Sequence, residues 1–325
     1  MRLALAGDTM VGRMVAERLA EVPPTALVAD EVVEVAREAD LFVLNLECAI
    51  SERGERWPDP AKPFFFRAPP AAVETLRHLG VDCVTLANNH ALDYGEVALV
   101  DTLDHLAAGG IAAVGAGPDE RAARAPAVLE AAGTSVGVVG LTDHPFDFAA
   151  GPDRPGVAYA DLHRGVPRWP LDAVGDLLDR GVDIVLVTPH WGPNMVPSPV
   201  AHVRRAADAF VGAGAGLVAG HSAHVFHGVE VCAGSVVLYD IGDFLDDYAT
   251  DPVLRNDLGL LFLVTIEAGR VRRVEAVPLG LDYCRTRLAT ADEARWIGRR
   301  FREACAAFGT DVRERDGRLV VERPG

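Results

Sequence analysis

The sequence predicts an α/β protein in which two β-sheets stack between layers of helices. Apolar runs of strand length alternate with amphipathic helical stretches through the first two-thirds of the chain, the pattern of successive βα units. After residue 220 the pattern changes. VEVCAG, SVVLYDIG, LGLLFLVTIEAG and RVRRVEAVPL read as successive strands joined by tight turns, an antiparallel run. Hydrophobic residues make up 50% of the 325, enough to bury a substantial core. The order suits one domain over 1–325, with a strand and helix extension at 251–325.

The elements follow in order. RLALAG gives a strand near 3–7, and helices are expected over 11–20 and, from DEVVEVAREAD, over 30–40. LFVLNL gives a strand near 41–46. Residues 52–68 (ERGERWPDPAKPFFFRA) hold too many prolines for a helix and form an excursion loop. A helix over 70–78 precedes a strand at 82–87, and a helix over 95–107 precedes short strands near 111–114, 126–130 and 135–141. Residues 143–170 form a second long loop rich in Pro and Gly, of a length that compact domains keep for function. A helix at 171–180 leads to a strand at 183–188, and a helix at 200–213 to a strand at 216–220. A helix at 291–308 and a strand at 318–322 close the chain.

The formal net charge of -16 disfavours nonspecific binding to nucleic acid or to anionic membrane. Met1 leads directly into the first strand, without a basic n-region, a long apolar h-region or a cleavage site. No apolar run reaches the length of a spanning helix, so a cytoplasmic protein with no membrane anchor is expected. The five cysteines (Cys48, Cys83, Cys232, Cys284, Cys305) are widely spaced, form no CxxC pair and read as reduced core thiols. Lys62 is the only lysine.

The chemistry gathers where apolar runs end. LALAGD ends at Asp8, LFVLNLE at Glu47, DCVTLANNH at Asn89 and His90, DIVLVTPH at His190, and AGLVAGHSAH at His221 and His224. Side chains at strand ends ride on rigid elements yet reach the open end of a sheet, where ligands can converge. Taken singly these residues have plainer readings. Asp8 before a helix fits an N-cap, and a lone His190 fits a satisfied core imidazole. Five strand ends in register point to a metal site. Their mix of imidazole and carboxylate suits Mn, Fe, Zn or Co. Asp93 lies close enough after His90 to orient its ring. Two metals in such a site would polarise a phosphoryl or carbonyl oxygen and acidify a bridging water, which suits hydrolysis near neutral pH.

GDTMVGR at 7–13, NLECAI at 45–50, LANNHALDYG at 86–95, PHWGPN at 189–194, GHSAHV at 220–225 and LYDIGDFLDD at 238–247 resemble, in this order, the motifs of the CapA family. These are poly-gamma-glutamate biosynthesis proteins, a branch of the calcineurin-like metallophosphoesterase superfamily. The resemblance spans residues 1 to about 250 and implies a four-layer α/β/β/α sandwich of two mixed sheets, with a dinuclear site at the strand ends. It assigns Asp8 to a first metal and Glu47 to the bridging position. It assigns Asn89, His190 and His221 to a second metal, with His224 returning to the first. His90, with Asp93 beside it, takes the place of the histidine that stabilises or protonates the leaving group. The chain departs from the pattern at several points. Met10 stands where the superfamily has the imidazole of Asp-x-His, which implies a weaker or exchangeable first metal. The last histidines are spaced HxxH, with Ser222 and Ala223 between them, and Asp243 stands where asparagine is more common.

For substrate, Arg13 and Arg67 are candidates to neutralise a phosphate or carboxylate. Asp143 and His144, opening the second long loop, are candidates to reach the metal site or act as a second acid/base pair. The expected function is a metal-dependent hydrolase using two divalent ions (Mn, Fe or Zn), with metal-activated hydroxide cleaving a phosphoester or amide of a small anionic metabolite. The alternatives are a capsule-assembly accessory protein that binds gamma-glutamyl chains without cleaving them, and a degenerate site kept for structure.

Overall fold

Alternation along the first strand, Arg2–Thr9, sets the layering. Leu3 and Leu5 face a core between two sheets, while Ala4 and Ala6 face a core beneath helices. The same split recurs across the second sheet, where Leu186 turns to the inter-sheet core and Val185 and Val187 to a helical layer. The computed structural model describes residues 1–232 and 234–323. Ala233, within the expected strand VEVCAG, and Pro324 and Gly325, at the end of the expected extension, lie outside the described residues.

Both sheets are mixed. The larger runs in the order Arg313–Arg315, Arg318–Glu322, Arg270–Asp282, Leu258–Glu267, Arg2–Thr9, Leu41–Leu46, Cys83–Thr85 and Ala112–Val114. Asp243–Leu245 also pairs with its first strand, and Arg285–Leu288 with its longest. The smaller runs Val229–Cys232, Ser235–Leu238, Leu217–Ala219, Ile184–His190, Thr134–Thr142 and Ala127–Ala131. Helices Arg13–Leu19, Asp30–Ala36, Ala72–Leu79 and Gly95–Ala108 cover the larger sheet through Val15, Val32, Leu76 and Leu99. Helices Arg168–Asp179 and Ala201–Gly212 cover the smaller one through Val174, Leu177 and Phe210. The α/β/β/α order is therefore the one expected. The last helix, Ala291–Ala306, opens on a capping box between Thr290 and Glu293 and buries Ile297 and Phe301 in the inter-sheet core.

One expectation is corrected. The four strand-like runs after residue 220 are not one antiparallel series. Val229–Cys232 and Ser235–Leu238 form a hairpin on the smaller sheet, with Ser235–Leu238 parallel to Leu217–Ala219. The chain then crosses to the larger sheet, where Leu258–Glu267 and Arg270–Asp282 form a second hairpin. Both hairpins carry the same alternation, so only the pairing partners distinguish them. The helix expected to reach residue 40 stops at Ala36, because Asp40 turns back to accept the Arg2 backbone N–H at 2.7 Å.

Glycine at position 7 is required by space. A Cβ there would sit 1.8 Å from the Gly242 carbonyl oxygen. The register of Arg2–Thr9 slips at this point, so that Asp8 pairs with Asn45 on one side and Asp243 on the other. Such bulges re-aim a side chain at a sheet rim. The two long loops meet each other. Trp57 packs edge-on to Phe148 at 4.9 Å, and its indole N–H donates to Asp147 at 2.8 Å.

Candidate metal centre

Asp8, Glu47, His190, His221 and His224 lie close together at one end of the sheets. Asp8 is wholly buried, and one of its oxygens accepts from Asn45 Nδ2 at 2.7 Å. Asn45 Oδ1 in turn accepts from Asn88 Nδ2 at 2.9 Å, so an amide chain braces the carboxylate. Asn45 did not stand out as a site residue in the sequence, because it sits inside an apolar strand. His190 and His221 meet across a single parallel bridge, their Nδ1 atoms 2.7 Å apart. His221 Nε2 lies 3.1 Å from Thr188 Oγ1. The HSAH turn runs through positive φ at Ser222 (120°) and His224 (59°), an uncommon conformation for non-glycine residues. That turn accommodates the longer histidine spacing and brings His224 Nδ1 to 3.3 Å from Asp8 Oδ2.

Several of these buried donor atoms have no hydrogen-bond partner: Asp8 Oδ2, Glu47 Oε1, Asn89 Oδ1, His190 Nε2 and Asp243 Oδ2. Leaving such atoms unpaired costs about 1–3 kcal/mol each, and more where charge is involved. Two groups, Asp8 with His190 and His221, and Asp8 with Glu47 and His224, each offer ligand atoms within 4.8 Å of one another. The residues therefore fit divalent cations. Asp8 is common to both groups, while Glu47 Oε1 lies 3.9 Å from both His190 Nε2 and His90 Nε2. A third group, Asp143, His163 and His202, is occupied with itself. His202 Nε2 lies 3.1 Å from Asp143 Oδ2, and the two imidazoles pack at 3.8 Å.

Electrostatics point the same way. Burial, reinforced by the Asp8 charge, holds Glu47 well above the usual carboxylate range. Burial likewise raises Asp243, and it pushes Asp246 up to about 6. Burial draws His221 down to about 4 and His190 well below its ordinary value, so both imidazoles are neutral and have lone pairs to offer. His224 is the exception: burial pulls it down, but Asp243 and Asp8 outweigh that and hold it well above its usual value. Carboxylates crowded in a buried site with too little positive charge are what a bound cation relieves.

Two carboxylate–imidazole pairs flank the cluster. His90 Nδ1 lies 2.6 Å from Asp93 Oδ2, and burial draws the ring down to about 4. Phe66 stacks on it at 3.8 Å and donates its backbone N–H to Asp93 at 2.6 Å. Lys62 Nζ approaches Asp93 Oδ1 at 3.0 Å and donates to the Asn89 carbonyl at 2.7 Å. The excursion loop thus builds the surroundings of His90, a role that no sequence signal except the singular lysine marks. On the other side, Asp143 pairs with His144 Nδ1 and accepts from the Gly192 backbone at 3.1 Å. The His144 ring lies 5.2 Å from that of His190, so this pair does reach the cluster.

The remaining candidates are engaged elsewhere. Arg13 pairs with the buried Asp247 and sits beside the rings of Phe64, Phe66 and Tyr248. Arg67 donates to the carbonyls of Arg53 and Gly54 and lies 4.1 Å over Tyr94. Together with Arg56, Phe65 and Tyr94 they line one open groove. Trp191 is buried with its indole N–H on the Tyr239 carbonyl, His227 turns to the Val196 carbonyl, and Cys48 packs in the helix-side core. All five cysteines are free thiols.

The chain is similar to several known proteins. A "Probable polyglutamine synthesis accessory protein" of Mycobacterium tuberculosis is 33% identical over 306 residues, spanning 88% of this chain and 77% of its own. "PGA biosynthesis protein CapA" of Bacillus subtilis is 30% identical over 243 residues, spanning 74% of this chain and 62% of its own. Among solved structures, a hypothetical protein from Thermus thermophilus shares the fold, with a TM-score of 0.51 at 17% identity over 87% of this chain and all of that one. Among the described residues no helix is long and apolar enough to cross a membrane. The family described as bacterial capsule synthesis protein PGA_cap matches residues 2–248, and the chain belongs to this CapA family.

Proposed function

We propose that the chain is a divalent-metal-dependent hydrolase of a phosphoester or amide bond in a small anionic metabolite or gamma-glutamyl compound. The observation that carries this reading is the set of buried, unpaired donor atoms on Asp8, Glu47, Asn89 and His190 beside the His90–Asp93 pair. Asp8, Glu47, Asn89, His190, His221 and His224 would hold two ions of Mn, Fe or Zn, with Glu47 reaching both sides. Such ions supply Lewis acidity, polarising the substrate oxygen and making water nucleophilic near neutral pH. The chain's own residues do the rest. Asp93 holds His90 Nδ1, so Nε2 of the neutral ring would first accept a proton from the attacking water and then pass it to the leaving group. Phe66 stacks on the ring, and the half-buried Lys62 pairs with Asp93 Oδ1 at 3.0 Å. His144, steadied by Asp143 and with its ring 5.2 Å from that of His190, would serve as a second proton carrier. Arg13, Arg56 and Arg67 in the open groove suit an anionic substrate.

Full-length protein loaded with Mn or Zn should hydrolyse members of a panel of aryl phosphates and gamma-glutamyl amides, and His90→Ala should abolish that turnover. Stoichiometric metal with no turnover that depends on His90 would rule the hydrolase out. The relatives named as a synthesis accessory protein and a PGA biosynthesis protein favour a second reading, an accessory protein that binds gamma-glutamyl polymer without cleaving it. That reading requires saturable binding of poly-gamma-glutamate that leaves its length unchanged.

A further inference from the structure

We propose that Asp243 is itself a metal ligand, supplying by carboxylate the donor that Met10 cannot. The inference rests on the reading of the strand-end cluster as a divalent-metal centre. Met10 is wholly buried in the helix-side core, and its sulfur accepts the Gly12 backbone N–H at 3.0 Å. Asp243 comes in from a neighbouring strand. It opens the short strand Asp243–Leu245, whose parallel pairing with Arg2–Thr9 makes Asp243 the register partner of Asp8. The residue is 2% exposed. Its Oδ1 lies 2.8 Å from His224 Nδ1, and its Oδ2 is buried without a hydrogen-bond partner.

Geometry separates a ligand from a residue that merely orients one. A carboxylate that positions a ligating imidazole holds the ring nitrogen remote from the ion and leaves the other for the metal. Here Asp8 Oδ2 at 3.3 Å and Asp243 Oδ1 at 2.8 Å both approach the same nitrogen, His224 Nδ1. One imidazole N–H can be aligned on only one of two acceptors, whereas a cation among the three atoms serves all of them. With Asp243 included, the Asp8 side gathers three carboxylates and one imidazole. The other group, Asp8 with His190 and His221, is richer in neutral donors. The first set suits a harder ion such as Mn(II).

Full-length protein stripped with chelator, as wild type, Asp243→Asn and Asp243→Ala, is titrated with Mn(II) and followed by electron paramagnetic resonance and thermal melting. Both variants should bind at one class of site at least about 10-fold more weakly. The metal-induced rise in melting temperature should shrink, while metal-free Asp243→Asn melts no lower than wild type. Wild-type Mn(II) affinity and stoichiometry in both variants would overturn the proposal and leave the metal centre standing. So would a lower metal-free melting temperature with affinity intact, which marks a structural role. If the wild type binds neither Mn(II) nor Zn(II), the metal-centre reading fails and this inference with it.

Discussion

His90 Nδ1 lies 2.6 Å from Asp93 Oδ2, while the ring's other nitrogen, Nε2, lies 3.9 Å from Glu47 Oε1. One side of the imidazole is thus fixed by a carboxylate and the other faces the donor cluster. His90→Ala should lower kcat by about 10²–10⁴-fold. Asp93→Asn, which keeps the shape but loses the charge, should cost about 10- to 100-fold. Steady-state kinetics with a cleaved phosphoester check both. A change confined to KM in either variant would remove His90 from the proton-transfer role.

Lys62 is the one lysine of the chain, its side chain 12% exposed against an Asp93 side chain at 0%. Removing one partner of a buried pair leaves an uncompensated charge. Lys62→Met should therefore lose about 3–5 kcal/mol of stability, with partial recovery in Lys62→Arg. Urea unfolding of the three proteins measures it. An unchanged midpoint in Lys62→Met would show that the pair contributes nothing.

Asp246 gives a pH dependence whose sign can be worked out. Burial pushes its carboxyl up to about 6, above an unfolded value of about 3.9. Its contribution to stability is complete below the unfolded value and is lost as pH rises through about 6. In metal-free protein, Asp246→Asn should raise the melting temperature at about pH 8, by at most about 3 kcal/mol in stability, and leave it unchanged at about pH 4. His90 and His221, both drawn down to about 4, act in the opposite sense. Their contribution is present above the ordinary value of about 6.5 and is lost as pH falls towards 4. Melting curves across this range separate the two effects, because only the first disappears in Asp246→Asn.

Gly7→Ala should destabilise the protein by more than about 3 kcal/mol, since its Cβ would meet the Gly242 carbonyl oxygen at 1.8 Å, backbone against backbone. Tolerance of alanine there, read by thermal melting, would mean that the strands Arg2–Thr9 and Asp243–Leu245 do not pair as described.

Much of this was legible in the sequence, for identifiable reasons. Asp8, Glu47, His190 and His221 each end a run whose apolar residues leave no reading other than a buried strand, so both the strand and its end could be located. The layers followed from the same runs. The division of the last four strands between two sheets was hidden, because Ser235–Leu238 and Leu258–Glu267 carry similar apolar patterns and differ only in their partners. Asp243 was marked only as a departure from the asparagine of the family pattern, not as a ligand. In LYDIGDFLDD nothing local separates it from Asp240, Asp246 or Asp247, and only pairing with Asp8 brings it to the centre. Lys62 and Phe66 sat in a loop whose prolines spoke against regular structure but said nothing about where its side chains would land.

The central claim is that Asp8, Glu47, Asn89, His190, His221 and His224, the first four with buried atoms that lack a hydrogen-bond partner, hold divalent cations. Anomalous diffraction from crystals grown with Mn(II) tests it most directly. Density should appear within about 2.0–2.4 Å of Asp8, Glu47 and His224, with a second peak beside His190, His221 and Asn89. A featureless map there, with the same donors bonded to water or to one another, would contradict it.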